Sequence, residues 1–113
     1  MELNRLDKLL EFIKNEPDDE FLKYALATEY LRINQPDVAL TYYENLIDNH
    51  PGYVGTYYHL GKLYEALNRK EDAIKTYQNG MVLTKAKHDN HAFNELQAVY
   101  KLAMGIEEDD DDY

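Results

Sequence analysis

Apolar side chains return along this chain at intervals of three and four residues, and no segment sustains alternation. Leu6, Leu9, Leu10 and Ile13 fall at i, i+3, i+4 and i+7 and predict an amphipathic helix over 4–15, with Asn4 as its N-cap. Pro17 stops it, and Asp18-Asp19 open the next. Leu22, Ala25, Leu26, Tyr30 and Ile33 predict a second helix from Glu20 to Ile33. Asn34 turns the chain, and Pro36 suits a first helical position, where its missing N–H costs nothing. A third helix, Pro36 to Asn49, offers Ala39, Tyr42, Tyr43, Leu46 and Ile47 for burial before Pro51-Gly52 breaks it. The plan then repeats. A helix over 53–67 is followed by a turn at Asn68 and a helix over 70–84. A last helix over 89–104 sets Phe93, Leu96, Tyr100 and Met104 in register and ends at Gly105. The pattern predicts an all-α chain of about six helices.

Shifting the sequence on itself by 34 residues, the separation of Pro17 and Pro51, aligns it without gaps. Tyr24 falls on Tyr58, Leu26 on Leu60, Ala27 on Gly61 and Tyr30 on Tyr64. Asn34 falls on Asn68, Ala39 on Ala73, Leu40 on Ile74 and Tyr43 on Tyr77. Small, aromatic and turn positions all stay in phase. The stretch Tyr57-x2-Leu60-Gly61-x2-Tyr64, with Ala73-x3-Tyr77 after it, resembles the tetratricopeptide repeat. That resemblance spans 17–87 as two repeats and implies a right-handed α-α superhelix, a tetratricopeptide solenoid. It divides the chain into an N-terminal half-repeat or capping helix (1–16), repeat one (17–50), repeat two (51–87), a C-terminal capping helix (88–105) and a disordered acidic tail (106–113). The capping helix follows at 36 rather than 34 residues, the separation of Tyr64 and Tyr100, so two residues are inserted near 86–90. Gln97 stands where Ala27 and Gly61 stood, which suits a polar-faced cap. Lys23 takes the first aromatic position of repeat one, and Phe21 or Leu22 is expected to supply the missing apolar contact.

Composition narrows the function classes. The 113 residues include no cysteine, which removes disulfides and thiolate metal sites and fits a reducing compartment, with a cytoplasmic protein as the default reading. No apolar run approaches the ~20 residues that span a bilayer. The net charge is −10, of which Glu107 to Asp112 contribute −6, leaving −4 on the rest. That balance argues against nucleic acid or an anionic membrane as partner, because either needs a basic face. Serine is absent along with cysteine, and no phosphate loop, nucleophile elbow or HExxH occurs, so no enzyme is expected. His88, Asp89 and His91 have donor atoms but lack a matched fourth ligand, and no metal or other cofactor is expected. His50 and His59 read as lone structural or surface residues.

In the resembled family, the first helix of each repeat lines a concave groove that binds a peptide or helix of another protein. Carried over by position, that groove would present Phe21, Tyr24, Thr28, Leu31 and Arg32 from repeat one. Repeat two would add Tyr58, Lys62, Glu65 and Ala66, and the capping helix His91, Asn94 and Ala98. Tyr24 and Tyr58 would act as rigid anchors, and Arg32, Lys62 and Asn94 would orient the ligand. A subset of the family clamps chaperone C-terminal carboxylates through Lys and Asn. The matching positions here are Tyr24, Thr28 and His59, so no such clamp is expected. The acidic tail reads as a solubilising end, with the sharper alternative that it reaches Lys62 or Arg32. The resemblance thus implies a non-catalytic interaction module. A second reading is a weak homo-oligomer, a self-associating structural protein joined through the groove or its open helix ends.

Overall fold

The computed structural model describes residues 4–106. Among them six α-helices and no strand are found: α1 (Arg5–Asn15), α2 (Glu20–Arg32), α3 (Pro36–Asn49), α4 (Gly55–Ala66), α5 (Lys70–Ala86) and α6 (Asn90–Met104). The acidic run lies outside the described residues.

Local chemistry sets the helix ends. The side chains of Asn4, Asp19 and Asp89 accept the backbone N–H of Asp7, Leu22 and Ala92, so three helices start on a side-chain cap. Pro36 opens α3. Four helices finish in the same way. Asn34, Asn68, His88 and Gly105 have φ of 63°, 61°, 59° and 78°. The residue after each donates back to the carbonyl of Tyr30, Tyr64, Thr84 or Lys101 at 2.8–2.9 Å. This is the Schellman arrangement, in which a left-handed residue lets the chain satisfy the last carbonyls. The two-residue insertion is taken up by α5, which continues past Thr84 to Ala86.

Two compact units divide the chain, Met1–Thr56 and Tyr57–Tyr113. In the first, Leu9, Ala25 and Leu26 form a buried cluster with Leu6, Leu10, Ile13, Leu22, Tyr30 and Tyr42 packed against it. Ala27, Ala39, Tyr43 and Leu46 are fully buried. In the second, Leu60, Leu63, Tyr64, Ala73, Tyr77, Leu96 and Val99 are buried. Gly61 has no room for a side chain, since a Cβ there would meet Tyr77 Cε1 at 2.1 Å. The small residues at 27, 39, 61 and 73 therefore let the paired helices approach closely.

One expectation narrows to one of its two residues, and two are corrected. Phe21 does not replace the missing aromatic, because it is exposed. Leu22 packs on the core, and Lys23 itself is buried. In α6 the buried stripe is Leu96, Val99 and Ala103; Phe93 and Tyr100 are half-buried and Met104 is exposed. Phe93 and Tyr100 face the side where a second-type helix would pack, and none follows α6 among the described residues. Nor is the end polar-faced, since Leu102, Met104 and Ile106 are exposed.

Candidate functional site

Helix α2 carries the positions assigned to repeat one. Burying Ala25, Leu26 and Glu29, with Leu22 partly buried beside them, leaves Phe21, Thr28 and Arg32 exposed on the other stripe. Tyr24 lies between the stripes. Its ring meets Tyr43 edge-on at 6.3 Å and Tyr53 at 5.4 Å, and a Cβ on Gly55 would come within 3.3 Å of it. Burial pushes the Tyr24 phenol above its ordinary pKa. Thr28 Oγ1 donates to the Tyr24 carbonyl at 3.0 Å and lies 3.2 Å from the Tyr43 hydroxyl, so Tyr24, Thr28 and Tyr43 form one group. Tyr53 joins this group without having been expected to. Its helix begins at Gly55, two residues later than the sequence pattern suggests, which frees Tyr53 to lie on Tyr24.

Arg32 is exposed but not unattached. Its Nε donates to Glu29 at 3.0 Å, and Arg5 Nε approaches the same carboxylate at 3.4 Å. The Arg32 hydrogen bond, first of all, holds the Glu29 carboxyl below its ordinary pKa. Nor is His50 lone. It lies 3.2 Å from Asp18 and 3.4 Å from Glu20. Asp18 also accepts from buried Lys23 at 2.6 Å, and that hydrogen bond is the first cause of its depressed pKa. The Lys23 ammonium reaches Asn45 as well, at 2.6 Å.

Helix α4 carries the positions assigned to repeat two. Tyr57, Leu60, Gly61 and Tyr64 are buried, while Tyr58 is half-buried and Lys62 exposed. The Tyr58 ring stands edge-on to His59 at 5.5 Å. Burial lowers the His59 pKa, against a partial opposing pull from Glu95. Glu65 is tied to the core, because the fully buried Tyr77 donates its hydroxyl to that carboxylate at 2.5 Å. Burial, then this hydrogen bond, raises the Tyr77 pKa far above its ordinary value.

On α6, Asn94 is exposed, and His91 is exposed and 3.3 Å from Glu95. His88 and Asp89 serve the turn and the cap. Among the described residues no three His, Asp or Glu side chains gather as metal ligands. No helix there is long and apolar enough to cross a membrane.

Comparison with known proteins agrees with this architecture. The tetratricopeptide repeat family model matches residues 24–87. A crystal structure of a tetratricopeptide repeat domain protein from Salinibacter ruber is 44% identical, with a TM-score of 0.75, over 80% of this chain and 100% of that one. A solution structure of such a protein from the same organism is 42% identical, with a TM-score of 0.76, over 86% and 98%. A Bordetella parapertussis protein of known solution structure shares the fold at 20% identity, with a TM-score of 0.78, over 91% and 90%. No curated protein gives a significant match. Proteins of this fold are generally protein–protein interaction modules and typically non-catalytic. The helix pairs, the tyrosines packed between them and the matched repeats place this chain in the tetratricopeptide repeat family.

Proposed function

We propose that the chain is a non-catalytic adaptor that binds a peptide or helix of another protein along the first helices of its repeats. The observation that carries this reading is the two-sided build of α2 and α4. One stripe of each is buried, and the other keeps Phe21, Thr28 and Arg32, or Lys62, accessible beside a half-buried tyrosine. Tyr24 and Tyr58 supply area at low entropic cost. Of the two cations assigned to the groove, Arg32 is engaged by Glu29, and Lys62 is the one offered to the ligand. Glu65 is a fixed anion held by Tyr77, which favours a ligand with a basic side chain at the matching place. The cysteine-free composition fits a reducing compartment such as the cytoplasm.

Tyr24 is built into the core, so Tyr58→Ala with Lys62→Glu is the cleaner disruption. Immobilised wild-type chain and this variant are compared for proteins captured from a reducing extract, and each captured protein is then tested by titration in purified form. A partner that binds the wild type and loses ~10-fold or more in affinity to the variant, with an unchanged melting curve, fits the reading. If every partner binds both forms equally, the assignment of these residues fails.

A further inference from the structure

Glu65 is the one acid among the residues expected to line the groove, and the second unit holds it in place. The fully buried Tyr77 of α5 donates its hydroxyl to Glu65 Oε2 at 2.5 Å. Burial first, then Glu65 and after it Tyr58, raises the Tyr77 pKa, so the hydroxyl stays a donor and both side chains bear on it. The other carboxylate oxygen, Oε1, has no partner among the described residues. Lys62, three residues away, makes no ion pair with it. Glu65 is half-buried, so its carboxylate is partly shielded from water. Tyr58 stands seven residues earlier, two turns along the same face of α4, and is half-buried as well. The register holds no second such carboxylate: Leu31 takes the place of Glu65 in repeat one, and Lys101 takes it in the capping helix.

We propose that Glu65 and Tyr58 form a subsite for an arginine side chain of the partner segment, with guanidinium N–H groups donated to Glu65 Oε1 and the guanidinium plane against the Tyr58 ring. This rests on the groove reading above and names the ligand's chemistry at one point of it. A carboxylate fixed through one oxygen is matched by a donor that brings positive charge to the other. A guanidinium meets that need better than an ammonium. Its donors form a rigid planar fork, it stacks on aromatic rings, and it gives up its water more readily at a half-buried place. The net charge of −10 draws a basic segment toward the chain. Tyr77 does not touch the arginine. It is a positioning residue, because its hydroxyl fixes which oxygen of Glu65 is left to the ligand.

The probes are three blocked tripeptides, acetyl-Ala-X-Ala-amide with X as arginine, lysine or citrulline, titrated into the full chain labelled with nitrogen-15 and followed by amide chemical shifts. The arginine peptide should give saturable shifts over residues 58–65. The lysine peptide should bind ~3-fold more weakly or worse, and citrulline, which keeps the shape without the charge, ~10-fold or more. Glu65→Gln should cost the arginine peptide ~10-fold or more, while Glu95→Gln on α6 leaves it unchanged. Tyr58→Leu and Tyr77→Phe should each bring the arginine-to-lysine ratio toward one, a readout that a loss of stability alone would not move. Glu65→Gln also disturbs the Tyr77 hydroxyl; if that chain does not fold, the comparison of peptides on the wild type decides. Four outcomes overturn the proposal: no saturable shift, equal binding of the arginine and lysine peptides, binding that survives Glu65→Gln, or shifts that gather on α6 and vanish with Glu95→Gln. The adaptor reading is judged separately, on captured proteins. A partner that needs Tyr58 and Lys62 but binds a Glu65→Gln chain as well as the wild type leaves that reading standing and removes this one.

Discussion

The two repeats place a tyrosine at the same position between their helices and give its hydroxyl different partners. Tyr43 and Tyr77 are both fully buried. Tyr43 lies 3.2 Å from the Thr28 hydroxyl, and Tyr77 donates to the Glu65 carboxylate. The neighbouring small residue also differs. Repeat one has Ala27, while repeat two has Gly61, where a Cβ would strike the Tyr77 ring. A third pair divides its bulk differently. Repeat two sets Tyr57 against Gly80, where a Cβ would meet Tyr57 Cβ at 2.7 Å and Leu96 Cδ1 at 2.9 Å. At the same two positions repeat one has Lys23 and the fully buried Leu46. Repeat one fills with Lys23 and Leu46 together the space that Tyr57 fills alone against Gly80 in repeat two. The repeat therefore constrains the space between helices, and the partners within that space are chosen locally.

The largest effect should come from emptying that space. Tyr43→Ala and Tyr77→Ala should each cost ~3–5 kcal/mol in urea denaturation, a large part of the ~5–15 kcal/mol that holds a typical domain. The phenylalanine variants sharpen the comparison. Tyr77→Phe removes a donor to a charged group and should cost ~1.5–3 kcal/mol, against ~0.5–1.5 kcal/mol for Tyr43→Phe. Equal losses would mean that the two hydroxyls do the same work despite their different partners.

Steric exchange at the helix crossing comes next. Gly61→Ala forces the Tyr77 ring aside and should cost ~1–3 kcal/mol. Ala27→Gly opens no clash and should cost ~1 kcal/mol, chiefly through chain entropy. If Gly61→Ala proved neutral, the ring would have a second position, and the distinction between the repeats at this point would disappear.

These contrasts also show which parts of the structure could be read from the chain. The six helices, the close approach at Ala27 and Gly61 and the left-handed turns at Asn34 and Asn68 follow from periodicity and from the conformations that each residue tolerates. Contacts between residues far apart in sequence carry no period. Lys23 with Asn45, and His50 with Asp18, join positions 22 and 32 residues apart, so neither the burial of the lysine nor the pairing of the histidine has a sequence signal. Tyr53 was missed for a related reason. Its register equivalent is Asp19, an N-cap, so repetition gives no hint of an aromatic contact. Of the expected site residues, the exposure of Phe21, Thr28, Arg32, Lys62, His91 and Asn94 was legible, but the half-burial of Tyr24, Tyr58 and Glu65 and the attachments of Arg32 and Glu65 were not. Each depends on a rotamer and a partner, not on spacing.

The turns test whether the repeats are also alike outside the core. Asn34→Ala and Asn68→Ala place a Cβ-bearing residue with no local side-chain hydrogen bond in the left-handed region. Each should cost ~1–2 kcal/mol. The glycine variants should be neutral or slightly stabilising at both sites, because glycine meets no steric cost there. Thermal melts of the four variants suffice. A loss at one turn and none at the other would show that the two helix ends bear different loads.

The smallest expected effect is a difference in acid response. His59 has no counterpart in repeat one, where Ala25 stands at its position and is buried. Burial depresses the folded-state pKa of His59 below its ordinary 6.5, so the unfolded chain binds the proton more readily. Its contribution is present above pH 6.5 and declines as the pH falls through the folded value. Asp18 and Glu29 of the first unit act in the same direction but later. Their folded pKa values lie below 3.8 and 4.5, so their contribution is lost only as the pH falls further. Denaturation midpoints measured from about pH 8 to about pH 5 should fall gently in the wild type, and His59→Ala should flatten that slope. The Asp18→Asn variant should leave it intact, because Asp18 is ionised in both folded and unfolded chains over most of that range. A slope that survives His59→Ala would assign the near-neutral response to another group.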